Sequence, residues 1–257
     1  MSKPLIFVTN DDGINAKGIS ELIEMVRPLG EVVVMAPFHG NSGMSHAITV
    51  KVPLRYKKLR EEENLTVYGC NGTPVDCVKL AMNELFQRKP DVLVSGINHG
   101  SNASISVIYS GTMGAVIEGC VNEIQSVGFS LLDYASDADF SQVMEHGRKI
   151  VKNVLENGLP DLTCLNVNFP AIKKEEIKGI RVCRQAKGMW KEEFDKRTDP
   201  RRGDYFWLTG YFEDRENGST DTDEWALTNN YISIVPVEVD FTAHDKIDYF
   251  KKWDYEI

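Results

Sequence analysis

The sequence predicts an α/β fold: a mostly parallel sheet with helices on both faces, followed by a β-rich C-terminal extension. Apolar runs rich in β-branched residues alternate with segments in which apolar residues recur at helical spacing. Glycine-rich polar loops follow several of these runs. After about residue 175 the helical spacing ends, and charged stretches separate strand-like runs. We therefore expect an α/β domain over residues 1–170 and a β-rich extension over residues 171–257.

The first elements predict a β-α-β unit, the building block of parallel sheets. The run "LIFV" predicts a short buried strand, and "EVVVMAP" predicts the next one. Between them lies an amphipathic helix, since apolar residues recur at i, i+3, i+4 and i+7: Ile19, Leu22, Ile23 and Val26. Gly30 is a favourable residue for ending this helix.

The middle of the chain continues the alternation of strands and helices. Leu65 to Tyr68 predicts a strand, and the next segment predicts a helix with Thr73 as N-cap and Pro74 in its first turn. The run "PDVLVSG" predicts another buried strand. Further helices are expected over Met113 to Ile124 and over Ser141 to Leu155, with strands at "SVGFSLL" and "TCLNVNFP".

The C-terminal extension has a different pattern. The runs "GIRVCRQ", "DYFWLTG" and "NYISIVPVEV" are strand-like. The stretches "DKRTDPRRGD" and "EDRENGSTDTDE" predict turns between them. The end of the extension, near "DFTAHD", is expected to pack back on the first domain.

The composition restricts the classes of partner. Apolar residues make up 42% of the chain, which fits a protein with a substantial core. The formal net charge is −9, whereas proteins that bind nucleic acid polymers usually present basic faces. No apolar run approaches the ~20 residues that span a bilayer. The five cysteines form no CxxC pair. We expect free thiols, a cytoplasmic location, and neither nucleic acid nor membrane as partner.

The stretch "VTNDDG" places Asn10, Asp11 and Asp12 directly after the first predicted strand. Adjacent carboxylates repel each other, and unpaired charge is costly to bury. In parallel α/β sheets ligands bind at the carboxyl ends of the strands, where two carboxylates make a good site for a hard cation. Asn, Asp and Gly are also favoured in turns, so a simple turn is the alternative.

Three further polar loops are expected at the same edge of the sheet. "APFHGNSGMSHA" offers the Ser42 hydroxyl to a metal or a phosphate, and "VSGINHGSN" offers the amides of Asn98 and Asn102 among three glycines. In "YSGTMGAVIEG", Ser110 and Thr112 stand at a helix start, where hydroxyls and N–H groups can bind an anion. Each could instead be an ordinary loop, and Thr112 could simply be an N-cap.

Several common enzyme motifs are absent. No GxGxxG follows the first strand, and neither GxxxxGK[ST] nor GxSxG occurs. The five histidines show no HExxH spacing. His39, His46 and His99 fall in the polar loops, and we interpret them as contacts at the rim of the site rather than as metal ligands.

Six segments resemble those of the SurE family, the survival-protein nucleotidases. They span residues 9–244 in the family's order, and together they are far more specific than any one alone: "TNDDGINAKGI", "APFHGNSGMSHAIT", "GTPVDCVKLA", "PDVLVSGINHGSN", "VIYSGTMGAVIEG" and "NYISIVPVEVDFTAH". The resemblance implies a Rossmann-like domain and a divalent-metal-dependent phosphatase of nucleoside monophosphates. It implies 5′-nucleotidase activity, leaves 3′-nucleotidase activity open, and implies a homodimer or homotetramer assembled through the C-terminal extension.

The resemblance also implies a set of site residues. The metal ligands would be Asp11, Asp12, Ser42 and Asn98. The phosphate contacts would be Asn102, Ser110, Gly111 and Thr112. Asp11, Asp12 and Asn98 are the expected catalytic residues. One Mg²⁺ or Mn²⁺ ion suits such oxygen ligands; it would polarise the phosphoryl group and activate a bound water as nucleophile. A covalent intermediate on Asp11 is the less favoured route.

Two departures from the family pattern and two rival functions stay open. His39 and Gly40 stand where many members carry a charged residue, which leaves the substrate preference undetermined. Asn230 stands where members often have glycine, and asparagine also tolerates positive φ.

A metal-dependent deacetylase would be expected to carry a histidine shortly before the Asp pair, where "VTN" stands. A non-catalytic nucleotide sensor is the second rival.

Overall fold

A computed structural model describes residues 3–216 and 218–255 of the chain. The strands are β1 (Leu5–Thr9), β2 (Glu31–Pro37), β3 (Tyr56–Glu62), β4 (Leu65–Cys70), β5 (Val92–His99), β6 (Gln125–Leu131), β7 (Thr163–Phe169), β8 (Gly179–Val182), β9 (Gly188–Asp199), β10 (Gly203–Asp214) and β11 (Tyr231–Glu238). The α-helices are α1 (Lys17–Val26), α2 (Pro74–Glu84), α3 (Gly111–Val121), α4 (Ser141–Asn157), α5 (Asp223–Thr228) and α6 (Ile247–Phe250).

The central sheet has nine strands in the order β3-β4-β2-β1-β5-β6-β7-β11-β8. The run from β4 to β7 is parallel throughout. The strand order therefore reverses between β1 and β5, and such a switch point is where doubly wound sheets bind ligands. The antiparallel strands β3 and β11 flank the parallel run, which confirms the predicted mostly parallel α/β sheet.

Helices cover both faces of the sheet, as predicted. α1 contacts α4 on one face, and α2 contacts α3 on the other. Two apolar clusters lie between the sheet and these helix pairs. The predicted apolar face of α1 is buried in the first cluster: Ile19, Leu22, Ile23 and Val26. Each helix pair thus covers one face of the sheet, and the polar loops lie at the edge of the sheet.

The residues around the start of α2 predict where this helix begins, whereas those around α3 do not. Thr73 accepts from Asp76 N–H, and the Asp76 side chain accepts from Thr73 N–H, so α2 begins with a capping box followed by Pro74. The helix predicted over Met113 to Ile124 is present as α3, but it begins and ends earlier, and the alternative that Thr112 is its N-cap was wrong. The helix begins at Gly111, and the N-cap is Ser110, whose hydroxyl accepts from Met113 N–H at 3.0 Å.

Strands in charged segments were also missed. β3 is exposed along its whole length, so no alternation of buried and exposed residues marks it in the sequence. The stretch "DKRTDPRRGD" was expected to be a turn, but β9 continues through its first part. β9 pairs with β10 in an exposed hairpin, so charged residues can continue the strand there. A tight turn remains between the two strands, after Asp199.

The C-terminal extension joins the first domain through β11, which pairs with β7. β9 and β10 form a separate two-stranded hairpin. Residues 240–255 are exposed throughout, so the chain returns to the sheet through β11 and not through its last described segment. The division of the chain near residue 170 stays a prediction, since one sheet continues across it. Among the described residues, no helix combines the length and apolar character needed to cross a bilayer.

Candidate active site

The acidic pair lies at the carboxyl end of β1, next to the switch point of the sheet. The chain leaves β1 through a turn at Gly13, whose φ of 96° is readily accessible only to glycine. Ile14 N–H donates to the Pro37 carbonyl at 2.8 Å and fixes this turn against the end of β2. The stretch "VTNDDG" is therefore a turn, and the same turn sets Asp11 and Asp12 at the edge where this fold binds ligands.

Asp11 is a buried carboxylate that lies against the first turn of α3. Its exposed fraction is 4%, and the Thr112 hydroxyl donates to its Oδ1 at 2.5 Å. N–H groups at a helix start favour a negative charge. Burial nevertheless raises the pKa of Asp11 to about 6; the Thr112 hydrogen bond lowers this pKa and the Asp12 charge raises it. A buried anion beside a second carboxylate calls for a positive charge from outside the chain.

Asp12 is half-buried beside the end of β5. His99 N–H donates to Asp12 Oδ2 at 3.3 Å. Burial raises the pKa of Asp12, and the contacts with His99 lower it. The His99 ring packs edge-on against Phe140, with 5.2 Å between the ring centroids. His99 therefore contributes its main chain to Asp12 while its ring packs on a core aromatic.

The loop after β2, which contains Ser42, lies next to the acidic turn of Asp11 and Asp12. Asn41 N–H donates to the Asp11 carbonyl at 2.6 Å, which ties the loop to the acidic turn. Ser45 N–H donates to the Tyr109 carbonyl at 3.1 Å, which ties the other end of the loop to the segment before α3. Ser42 lies between these two anchors with an exposed side chain. The main chain on either side thus holds this loop next to the acidic turn, and a metal contact from the Ser42 hydroxyl stays a prediction.

Asn98 lies at the end of β5, directly before the residue that bonds to Asp12. Its Nδ2 donates to the Gly100 carbonyl at 2.9 Å. The side-chain oxygen is therefore the group that Asn98 has left to offer a ligand. The pairing of β5 with β6 shifts in register between Ser95 and Asn98, and this irregularity lies at the site end of the strand.

Asn102 is held in a separate buried network of amides. Its Nδ2 donates to Ser130 Oγ at 2.8 Å, its main-chain N–H donates to Asn168 Oδ1 at 2.9 Å, and its carbonyl accepts from Asn166 Nδ2 at 2.8 Å. Asn168 also donates to Asn166. Asn102 therefore has its position fixed from three sides, and a phosphate contact from it stays a prediction.

Sequence reasoning missed Asn166 and Asn168 as supports of the site. They alternate with apolar residues along β7, and both are buried. The sequence does contain a signal for them: two asparagines at i and i+2 inside an apolar run. Period-two spacing puts both on one face of a strand, and buried amides there need hydrogen-bond partners.

A second missed support is Asp223, which joins three parts of the chain. Its Oδ2 accepts from Ser104 N–H at 2.7 Å, and its Oδ1 accepts from Ala186 N–H at 2.9 Å. Ser104 Oγ in turn donates to the Ala186 carbonyl at 2.9 Å. The segment between Asn102 and α3 is thereby fastened to the C-terminal extension, which no local pattern in the sequence could reveal.

We expect Asp223→Asn to destabilise the protein by about 2–4 kcal/mol, because an amide nitrogen would then face an N–H donor inside the protein. Asp221→Asn is the matched control: Asp221 is exposed and pairs only on the surface, with Arg184, so its loss should change stability by about 1 kcal/mol or less. Thermal or urea unfolding of the two variants measures the difference. Equal stability of both would contradict the role given to Asp223.

The start of α3 is the candidate anion site. Ser110 accepts from Met113 N–H as N-cap, which leaves its own O–H to donate to an anion, whereas Thr112 donates its hydroxyl to Asp11. Phosphate contacts from both side chains stay predictions. Of the N–H groups in the first turn, that of Met113 is bonded to Ser110, and those of Gly111 and Thr112 lie beside Asp11. Gly111 is in direct contact with that carboxylate: a Cβ built on Gly111 would lie 2.8 Å from Asp11 Cβ and 3.0 Å from Asp11 Oδ2.

Gly111→Ala should therefore displace Asp11 or the helix start, and we expect turnover to fall by about tenfold or more, since sub-ångström shifts in such sites are costly. The substitution should not unfold α3, because alanine favours helices. Gly40→Ala is the control: its Cβ would stand in ordinary contact, 3.5 Å from the Asp12 carbonyl oxygen. Steady-state kinetics on both variants provide the test, and normal turnover in Gly111→Ala would show that this close approach is unimportant.

The donor groups at this edge fit a divalent cation. Asp11 and Asp12 supply carboxylates, Asn98 supplies an amide oxygen and Ser42 a hydroxyl. In the part of the chain that the structure describes, no lysine or arginine lowers the pKa of either carboxylate. In residues 3–216 and 218–255, no group of three or more His, Cys, Asp or Glu side chains is arranged to hold a metal ion, so a site here has to include neutral oxygens. Mg²⁺ and Mn²⁺ prefer such oxygen ligands.

Comparison with known proteins gives consistent matches over the whole chain. The family model described as "Survival protein SurE" matches residues 6–192. A protein named 5′-nucleotidase SurE from Flavobacterium psychrophilum is 56% identical over 255 residues, covering 99% of each chain. One of the same name from Bacteroides fragilis is 54% identical and covers 98% of each. The crystal structure of SurE from Aquifex aeolicus is 37% identical, covers 96% of this chain and 98% of its own, and superposes with a TM-score of 0.83.

Proposed function

The chain belongs to the SurE family of survival proteins, and on that premise we propose that it is a 5′-nucleotidase that hydrolyses nucleoside monophosphates with the help of a divalent metal ion. The relatives that match it end to end carry the name 5′-nucleotidase SurE. The observation that carries the proposal is the buried Asp11, which is packed beside Asp12 and against the first turn of α3. This arrangement combines a cation site with an anion site, as a metal-dependent phosphatase requires.

Asp11, Asp12, Ser42 and Asn98 are the residues that would hold the ion. When bound, it would supply positive charge to the phosphoryl oxygens and lower the pKa of a water molecule. Either Mg²⁺ or Mn²⁺ suits these ligands.

The protein's own groups then have distinct tasks. Thr112 fixes Asp11 through the hydrogen bond to Oδ1, and His99 N–H fixes Asp12 through Oδ2. N–H groups at the start of α3 would bind the oxygens of the phosphate, where negative charge shifts in the transition state. The asparagine network around Asn102 fixes the loop after β5, from which Asn102 would contact that phosphate. These groups are positioned before substrate arrives, so little reorganisation accompanies the reaction.

Water is favoured over Asp11 as the nucleophile. Asp11 is 4% exposed and accepts a hydrogen bond from Thr112, so little of its carboxylate is open to an incoming phosphorus atom. The route through a covalent aspartyl-phosphate would need this side chain to leave its contacts. Hydrolysis by water uses the carboxylate where it stands.

A homodimer or homotetramer is the proposed assembly. Several large apolar side chains are exposed on the β9–β10 hairpin: Phe194, Tyr205, Phe206, Trp207, Leu208 and Tyr211. The last described segment adds four exposed aromatics: Tyr249, Phe250, Trp253 and Tyr255. Contiguous exposed apolar side chains of this kind mark interaction surfaces. We expect light scattering to give twice or four times the chain mass, and a monomer at working concentration would contradict this.

A reducing, cytoplasmic location is the final part of the proposal. Its support is that all five cysteines are buried free thiols.

A substrate screen tests the proposed function. Purified protein with Mn²⁺ or Mg²⁺ should release phosphate from nucleoside 5′-monophosphates, and including 3′-monophosphates would decide whether those are also hydrolysed. N-acetylated sugars and peptides in the same screen test the deacetylase alternative through acetate release. Tight nucleotide binding with no turnover under any of these conditions would instead identify a sensor, and either of these two results would overturn the proposal.

A further inference from the structure

A cavity of about 470 Å³ opens beside the candidate phosphate site. Its lining comes from the loop after β2, the segment before α3 and the hairpin: Gly43, Tyr109, Trp190, Leu208, Thr209 and Gly210. Gly43 directly follows Ser42, and Tyr109 directly precedes Ser110. Two residues of the cavity wall are therefore direct chain neighbours of residues assigned to the metal and the phosphate. Its volume is in the range of about 300–1,000 Å³ that is usual for small-molecule sites.

The lining chemistry differs from that of the phosphate site. None of the six lining residues carries a formal charge, and two of them are aromatic. The carboxylates and the helix start belong to the neighbouring site around Asp11, which Gly111 contacts. A molecule that occupied both the cavity and this site would have an anionic group at one terminus and a flat, mainly apolar group at the opposite terminus. A nucleoside monophosphate has this distribution of charge.

Trp190 is held in a fixed orientation. Its Nε1–H donates to Ser106 Oγ at 3.1 Å, in the short 3₁₀ helix Ser104–Ile108 that precedes α3. Its ring packs edge-on against Phe212 on the paired strand, with 6.2 Å between centroids. Trp190 is half-buried, unlike the exposed aromatics further along the hairpin. A ring fixed on two sides and open to a cavity is a good platform for stacking.

Tyr109 is fixed through its main chain. Its carbonyl accepts from Ser45 N–H at 3.1 Å, which joins the loop of Ser42 to the segment before α3. Its side chain is 48% exposed and lines the same cavity as Trp190. The cavity thus has one aromatic side chain on the sheet domain and one on the hairpin.

We propose that this cavity is the nucleobase subsite and that Trp190, with Tyr109, binds the face of the base. This inference rests on the proposed function and adds a residue that favours substrates with a base over phosphate esters that lack one. Every nucleobase has a flat π face, so stacking on these rings should accept purines and pyrimidines alike. The hairpin then has a role within the site itself, since it supplies Trp190, Leu208 and Gly210 to the wall.

The test compares a substrate that has a base with one that lacks it. Adenosine 5′-monophosphate and ribose 5-phosphate carry the same ester, but only the first can stack. In Trp190→Ala, we expect kcat/KM for adenosine 5′-monophosphate to fall by about tenfold or more, mainly through KM, since stacking of a base on an aromatic ring is worth that much. Ribose 5-phosphate should be hydrolysed within about twofold of the parent rate, because it makes no stacking contact.

Two further variants separate stacking from a structural role. Trp190→Phe keeps a ring without the bond to Ser106 and should retain most of the preference for the base-containing substrate. Trp207→Ala removes an exposed aromatic from the same hairpin, outside the cavity lining, and should leave the preference unchanged. An equal loss on both substrates in Trp190→Ala, or no loss on either, would overturn the proposal.

Adenosine binding gives a readout that does not depend on turnover. We expect adenosine to quench the tryptophan fluorescence of the parent, and this quenching should be lost in Trp190→Phe. If the parent hydrolyses neither substrate, the proposed function fails, whereas the subsite is still decided by this titration. Absence of any change in fluorescence on saturation with adenosine would overturn the subsite.

Discussion

Replacing Asp11 by asparagine should reduce turnover of nucleoside monophosphates by at least about 10²-fold, equivalent to at least ~2.7 kcal/mol of transition-state stabilisation. The substitution keeps the shape of the side chain and leaves an oxygen to accept from Thr112. It removes one of the two charges that would bind the ion.

The same substitution should stabilise the metal-free protein. Burial raises the pKa of Asp11 to about 6 from an ordinary value of 3.8, so between these pH values the folded chain holds more protons than the unfolded chain. The contribution of Asp11 to the free energy of unfolding therefore falls as pH rises from about 4 to about 6. The advantage of Asp11→Asn should be on the order of 2–3 kcal/mol above this range and should vanish below it. Unfolding of both proteins in chelator at pH 4 and pH 8 measures this.

Asp133→Asn is the matched control for Asp11→Asn. Asp133 follows β6 at the same edge of the sheet, and its Oδ1 accepts from Ala135 N–H at 2.9 Å, as in an ordinary turn. We expect near-normal turnover and a small loss of stability in this variant. Loss of activity in both variants to the same degree would mean that any carboxylate at this edge matters, and would remove the specific role of Asp11.

Removal of divalent ions should abolish turnover, which is the second large effect. Without the ion, two adjacent carboxylates would face an anionic substrate, and no lysine or arginine among the described residues lowers the pKa of either one. Exhaustive chelation followed by dialysis should reduce the rate by at least about 10²-fold. Addition of Mn²⁺ or Mg²⁺ should restore it, whereas Ca²⁺ should restore less because it is larger and favours more ligands.

The ion should also stabilise the folded chain. A ligand present at 100 times its dissociation constant raises the free energy of unfolding by about 2.7 kcal/mol if it binds only the folded state. The melting temperature should rise with Mn²⁺ in the parent and hardly at all in Asp11→Asn. A chelated parent with undiminished turnover would rule out a required ion.

The parts of the fold that were predictable are those with local physical causes. The apolar spacing of α1 places its buried face, and the residues before α2 satisfy its first N–H groups. The acidic turn follows β1 immediately, so its position at the sheet edge could be inferred once the sheet was expected to be parallel. The same reasoning brought Ser42 and Asn98 to that edge.

The parts that were not predictable depend on partners distant in sequence. Thr112 has the sequence context of an N-cap, but its hydroxyl is 101 residues away in sequence from the carboxylate it contacts. Asp223 is separated from Ser104 by 119 residues, and neither residue has a local pattern that indicates the other. Likewise, only the fold shows that Trp190 reaches the 3₁₀ helix before α3, through its bond to Ser106, 84 residues away in sequence.

The most direct measurement is a titration of metal-free protein with Mn²⁺, followed in parallel by calorimetry and by hydrolysis of adenosine 5′-monophosphate, for the parent and for Asp12→Asn. We expect one ion per chain in the parent, with turnover rising in proportion to occupancy. Asp12→Asn should bind Mn²⁺ at least about tenfold more weakly and reach at most about one hundredth of the parent rate, because it lacks one of the two anionic ligands. Full turnover in the parent before any ion is bound, or normal turnover in Asp12→Asn, would contradict the assignment of the acidic pair.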